Sequence, residues 1–125
     1  MRPGYVSIQY NGGLLTTCGL THTGDAETHN ITGEHRNLHG HFTRLGAYQI
    51  GIERSWRDEK YFLQLTCFIS LSTLFGEQLR VKRMYQVTLG EPVITLTDCV
   101  ENLYDVPTSL MLLYHFNLGY PLVRD

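Results

Sequence analysis

The chain has 125 residues, of which 42% are hydrophobic and 18% charged, with a formal net charge of −2. That is enough apolar material for one packed domain, residues 1–125, and too much for a disordered chain. The charge balance gives no basic face of the kind nucleic acid requires, and no apolar run approaches the roughly 20 residues that cross a membrane.

The opening Met1-Arg2-Pro3-Gly4-Tyr5 has no apolar signal core, so a cytoplasmic location is expected. Tyr5 to Tyr10 alternates weakly and predicts a strand, followed by a turn at Asn11-Gly12-Gly13. Leu14 to Cys18 is β-prone and is expected to stop at Gly19. Residues 21–37 are polar, rich in Gly and His, and without a period, which predicts a long surface loop closed by Asn37 to His41. Ala47 to Trp56 predicts a strand, Arg57-Asp58-Glu59-Lys60 a charged turn, and Tyr61 to Leu71 a further strand rich in β-branched and aromatic residues.

Leu79, Val81, Arg83 and Tyr85 then alternate with Arg80, Lys82 and Met84. The basic residues 80–83 are expected on the solvated side of that strand. Gly90-Glu91-Pro92 predicts a hairpin turn, and Val93 to Val100 a cleanly alternating strand. Glu101 and Asn102 are expected in the turn that follows, with Asp98 and Glu101 solvated. Leu110 to Leu113 predicts a buried strand that runs into Tyr114 to Pro121. There Leu113, His115 and Asn117 share one face, and Tyr114, Phe116 and Leu118 the other, expected as core. Short strands separated by turn signals predict an all-β fold, an antiparallel β-sandwich. Cys18, Cys67 and Cys99 are odd in number and widely spaced among apolar residues, and are read as reduced and buried.

Six histidines stand at 22, 29, 35, 39, 41 and 115, five of them between residues 22 and 41. Imidazole is the natural proton donor or acceptor near neutral pH. Two such rings in one pocket would protonate a ring or leaving oxygen and orient a hydroxyl. Asn11, His41, Arg44 and Asn117 would supply hydrogen bonds to a polyhydroxylated ligand. The plainer alternatives stay open: exposed loop histidines at 22, 29 and 35, a core histidine at 115, and a metal set of His35, His39 and His41. That last spacing matches no zinc signature, and no metal or other cofactor is expected. No phosphate loop and no nucleophile elbow occurs.

Leu38-His39-Gly40 resembles the Leu-His-Gly-Gly stretch of the aldose 1-epimerases (galactose mutarotases), and Phe116-Asn117-Leu118 the end of their His-x-Tyr-Phe-Asn-Leu stretch. The likeness is closer to a galactose-mutarotase-like branch of uncharacterised proteins. That branch carries the ten residues found here at 11–20, the Leu-His-Gly at 38–40, a Glu-Asn pair as at 101–102, and the pattern seen at 114–122. The resemblance implies a β-supersandwich and a sugar cleft on one face. It implies cofactor-free interconversion of anomers, in which an acid protonates the ring oxygen while a base takes the anomeric proton. Mapped residue by residue, His39 is the sugar-contacting histidine and His115 the ring-oxygen acid.

The chain departs from that pattern in three places. The family's acid histidine falls on Leu113, two residues before His115 and on the same strand face. The second Gly of Leu-His-Gly-Gly is His41. The family's general base is a Glu in the C-terminal part of a longer domain, so this chain is expected to match the domain's central part. Unpaired edges and an uncovered apolar face would then call for a homo-oligomer or a partner chain. The alternatives to an epimerase-like isomerase are a sugar-binding domain or remnant without that base and a structural β-domain.

Overall fold

The computed structural model describes residues 13–28, 30, 33, 35–74 and 76–123. The expected strand at 5–10 and the turn residues Asn11 and Gly12 lie outside them. Two compact units are present, one from Met1–Arg44 with Ser109–Asp125, the other from Leu45–Thr108. Apart from one 3-10 turn the described elements are all strands, so the all-β antiparallel class is the one observed. No helix among the described residues is long and apolar enough to cross a membrane.

The second unit is a four-stranded antiparallel meander. It consists of β4 (Ala47–Arg57), β5 (Lys60–Ser72), β6 (Gln78–Thr88) and β7 (Ile94–Asn102), in that spatial order. Asp58 and Glu59 turn the first hairpin with φ of 45° and 66°, between the paired Arg57 and Lys60. Two positive φ values in a two-residue loop match the right-handed twist of the strands. The β4–β5 register shifts between Tyr48 and Gly51, where Gln49 has φ 49°. Such a bulge bends an edge strand and increases its twist.

The register sorts the sheet into two faces. One carries Cys67, Ile69, Leu71, Leu79 and Val81, all buried. Each aliphatic side chain there contributes about 1.5–3 kcal/mol relative to exposure. The same face runs on to Ile52, Trp56 and Ile94, which are exposed. The opposite face is more polar: Gln64, Thr66, Phe68 and Ser70 stand beside Gln86, Met84, Lys82 and Arg80, and these beside Thr95, Thr97, Cys99 and Glu101.

Three sequence expectations are corrected in this sheet, the first being that Asp98 is solvated: its side chain is 3% exposed. Arg83 is not solvated. It shares the parity of Leu79 and Val81, and its side chain is buried in a two-pronged pair with Asp98 at 2.8 and 2.6 Å. Burial alone would lower its pKa, but the Asp98 bond and charge outweigh that, so it stands above the ordinary arginine value. Glu101 and Asn102 are not a turn; they end β7. Glu101 pairs with Arg80 across the strands, raising the Arg80 pKa, and Asn102 caps the following bend through Tyr104 and Val106.

In the first unit β1 (Leu15–Leu20) pairs antiparallel with β8 (Met111–Phe116), Leu15 facing Phe116 and Leu20 facing Met111. The segment at 21–37 is not wholly irregular. It holds a small hairpin of β2 (Glu27–Thr28) and β3 (His35–Arg36). A 3-10 turn, Phe42–Arg44, follows, and Phe42 is buried along with Thr17, Cys18, Leu20 and Thr21.

β1 does not stop at Gly19; the strand passes through it with φ 99°. Nor is β8 the buried strand its composition suggests. Met111, Leu113, Tyr114 and Phe116 are exposed, and so is Leu118. Among the described residues β8 has only β1 as a strand partner.

Cys18 and Cys67 are buried and Cys99 is exposed; all are free thiols. Cys99 sits on the polar face, opposite Lys82, which the sequence reading missed. Burial raises the Cys18 pKa, so thiolate is scarcer there at any given pH. At about pH 8 an alkylating reagent should therefore modify Cys99 first, with Cys18 and Cys67 following only on unfolding. Mass mapping of the first adduct checks this; equal rates at Cys18 and Cys99 would refute it.

Candidate functional site

The candidate residues of the first unit fall into two settings on the two edges of β1. On one edge the turn at 38–41 crosses the strand. The Gly19 amide donates to the His39 carbonyl at 2.7 Å, and the His41 amide donates to the Gly19 carbonyl at 3.2 Å. This makes a parallel bridge of Gly19 with Gly40. His39 itself has φ 56° and its amide donates to the Gly24 carbonyl at 2.8 Å. Its ring closes the same loop, Nδ1 accepting from the Gly24 amide at 3.3 Å. That bond requires an unprotonated Nδ1, so the neutral ring carries its hydrogen on Nε2.

On the other edge the end of β8 presents His115. Its Nε2 lies 3.0 Å from Asn117 Oδ1. Asn117 is itself held: its side-chain amide donates to the Gly13 carbonyl at 2.7 Å and its backbone amide to the Leu14 carbonyl at 2.9 Å. With the Asn117 NH₂ group committed to a carbonyl, Oδ1 faces the ring and Nε2–H is the donor. Nδ1 is then the proton-accepting atom of the neutral imidazole. Both side chains belong to exposed residues, and their link orders a proton-exchanging group at a strand end.

The register sets the separation of these settings. His39 bonds Gly19, while His115 faces Thr16. Along β1 that is three residues, about 10 Å, and across it two strand spacings, about 10 Å. The two imidazoles thus have different anchors.

His41 is half-buried, and its carbonyl accepts from the Arg44 amide at 2.9 Å; Arg44 ends the 3-10 turn and is exposed. Asn11 lies outside the described residues. Of the remaining loop histidines, His29 lies outside the described residues. His22 bonds the Asp25 carbonyl at 2.8 Å and lies 3.3 Å from Glu27, and His35 is exposed on β3. Among the described residues no three His, Cys, Asp or Glu groups are placed to hold a metal ion. The sequence reading missed the backbone partners Gly13 and Gly24. Gly24 stands 15 residues from His39 and Gly13 stands 104 from Asn117, so no local signal marked either.

A family model described as a domain of unknown function, DUF4432, matches residues 5–125. No curated protein and no solved structure matches the chain.

Proposed function

The chain belongs to the DUF4432 family, and we propose that this member is a carbohydrate-binding, aldose 1-epimerase-like protein that takes a free sugar at the His115–Asn117 end of β8. The observation that carries this reading is the ordered imidazole: Asn117, fixed to Gly13, fixes His115 in turn. In the proposed reaction protonated His115 donates from Nδ1 to the ring oxygen while a base takes the anomeric hydroxyl proton. The C1–O bond to the ring opens, the C1–C2 bond rotates, and closure on the other face returns the ring-oxygen proton to His115 and the base's proton to the anomeric oxygen. The likeness of residues 11–20, 38–40 and 114–122 to the galactose-mutarotase-like branch supports the same substrate class.

The separate anchoring of His39 favours a second reading, sugar binding without catalysis, because one ring alone does not supply both proton transfers. Saturation-transfer NMR of anomer exchange on a panel of free aldoses separates the two. Exchange accelerated by the protein and lost in His115→Ala supports the isomerase. Saturable binding with exchange at the solvent rate supports binding alone. A folded sample that does neither removes both.

A further inference from the structure

The polar face of the four-stranded sheet has no role in the reading above. We propose that it carries a separate ligand site in the second unit, where the β4–β5 and β6–β7 turns come together, and that this site takes a neutral polyhydroxylated ring such as a single sugar. A pocket of about 160 Å³ opens there, lined by Arg57, Phe62, Gln86, Thr88, Glu91 and Thr95 among others. The register independently puts Arg57, Phe62, Gln86, Thr88 and Thr95 on that one face. Drug-sized ligands occupy about 300–1,000 Å³, so this pocket suits one ring left partly open to water.

The lining offers donors and acceptors together. The Arg57 guanidinium lies over the Phe62 ring, 5.2 Å from its centroid, and bonds Glu53 at 3.4 Å, which engages one of its five donors. The Gln86 amide donates to Gln64 Oε1 at 3.0 Å, and Gln64 donates onward to Thr66 at 3.4 Å. This chain fixes which end of each amide is presented. Thr88 and Thr95 add hydroxyls that serve in either role. A sugar hydroxyl also donates and accepts, so a mixed lining fits it better than an all-donor lining would.

Charge argues against an anion. Arg57 is balanced by Glu53, and Lys60 bonds Glu91 at 2.7 Å across the two turns. Phosphate and carboxylate sites concentrate unbalanced Arg or Lys. A recess of about 10 Å³ adjoins the pocket and shares Arg57, Phe62 and Gln86. It is near the size of one water, which a ligand hydroxyl would replace or use as a bridge.

The test is a ¹⁵N–¹H NMR titration of the full chain with methyl glucoside, methyl galactoside and myo-inositol, none of which changes anomer, and with glucose 6-phosphate for comparison. Saturable shifts at the Phe62, Thr88 and Thr95 amides are expected with at least one neutral compound. They should be about tenfold weaker in Gln86→Leu, the loss of roughly one hydrogen-bonding group. The near-isosteric Thr95→Val gives the same readout should Gln86→Leu not fold. His115→Ala should leave these shifts unchanged, which keeps this site's fate distinct from that of the proposed epimerase site. No saturable shift up to tens of millimolar overturns the proposal, as does tighter binding of the phosphate or loss of the shifts in His115→Ala.

Discussion

Arg83→Ala should destabilise the chain by about 3–5 kcal/mol, the penalty for leaving a buried charge without its partner. Arg83 and Asp98 have side chains 8% and 3% exposed and meet through two hydrogen bonds. They sit on the face that carries Leu79, Val81, Leu96 and Val100. Truncating Arg83 leaves the Asp98 carboxylate in that apolar layer and removes the guanidinium from over the Tyr85 ring, 5.9 Å from its centroid. The complementary Asp98→Ala should be of similar size. The double change Arg83→Met with Asp98→Leu removes both charges and should recover most of the loss, since apolar replacements of buried pairs are often neutral or stabilising. Urea denaturation checks the series, with a shifted midpoint at unchanged slope as the sign of a pure stability effect. A double variant no better than Arg83→Ala would mean that the pair supports the fold by more than mutual neutralisation.

The pair also fixes a sign for alkaline pH. Asp98 holds the Arg83 pKa above its ordinary value, so the folded state keeps the proton more tightly than the unfolded chain. That contribution is complete below the ordinary arginine value and is lost only as pH rises through the folded one. Titration up to about pH 11 should therefore leave the Arg83 contribution intact. Decline at lower alkaline pH belongs to other groups, the Cys18 thiol among them. Its raised pKa makes stability fall once the pH passes the unfolded thiol value.

Much of the second unit was legible because its signals are local. Alternation from Leu79 to Tyr85 and from Val93 to Val100 gave the strands and their faces, and Asp58-Glu59 gave the turn. Arg83 was legible too, in that its parity matches Leu79 and Val81, and Asp98 has the parity of Ile94, Leu96 and Val100. Reading residues 80–83 as one basic cluster set residue type above parity. The first unit was less legible because its geometry is made by contacts distant in sequence. Nothing near His39 in the chain says that its ring meets Gly24, and nothing near Asn117 says that it meets Gly13. The apolar composition of β8 indicated burial, but burial depends on what packs against a strand, and β1 is its sole strand partner among the described residues. The two histidines share a chemistry that sequence can display and a separation that only the register supplies.

Gly19→Ala should cost roughly 2–6 kcal/mol, the sum of a strained φ and an overpacked site, each about 1–3 kcal/mol. Gly19 has φ 99°, and a Cβ there would meet the Met111 carbonyl oxygen of β8 at an impossible approach, with the Thr23 methyl at 2.9 Å. Backbone and a packed methyl both stand in the way, so relief requires β1 and β8 to part. Gly40, its bridge partner, is as confined: a Cβ at φ 75° would lie 2.5 Å from the His22 carbonyl oxygen and 2.7 Å from that of Gly19. The crossing of β1 by the His39 turn therefore depends on two backbones meeting without side chains. Gly24→Ala is the control, because it carries the same kind of φ, 121°, with nothing within 4 Å of the new methyl. It should show the conformational penalty alone. Hydrogen exchange adds the local readout: in Gly19→Ala the amides of residues 19 and 41 should lose protection, since each bonds across the crossing. Equal losses of stability in Gly19→Ala and Gly24→Ala would remove the steric half of the argument. A larger loss at Gly19, with exposed amides at 19 and 41, would establish that the close approach holds the His39 turn against β1.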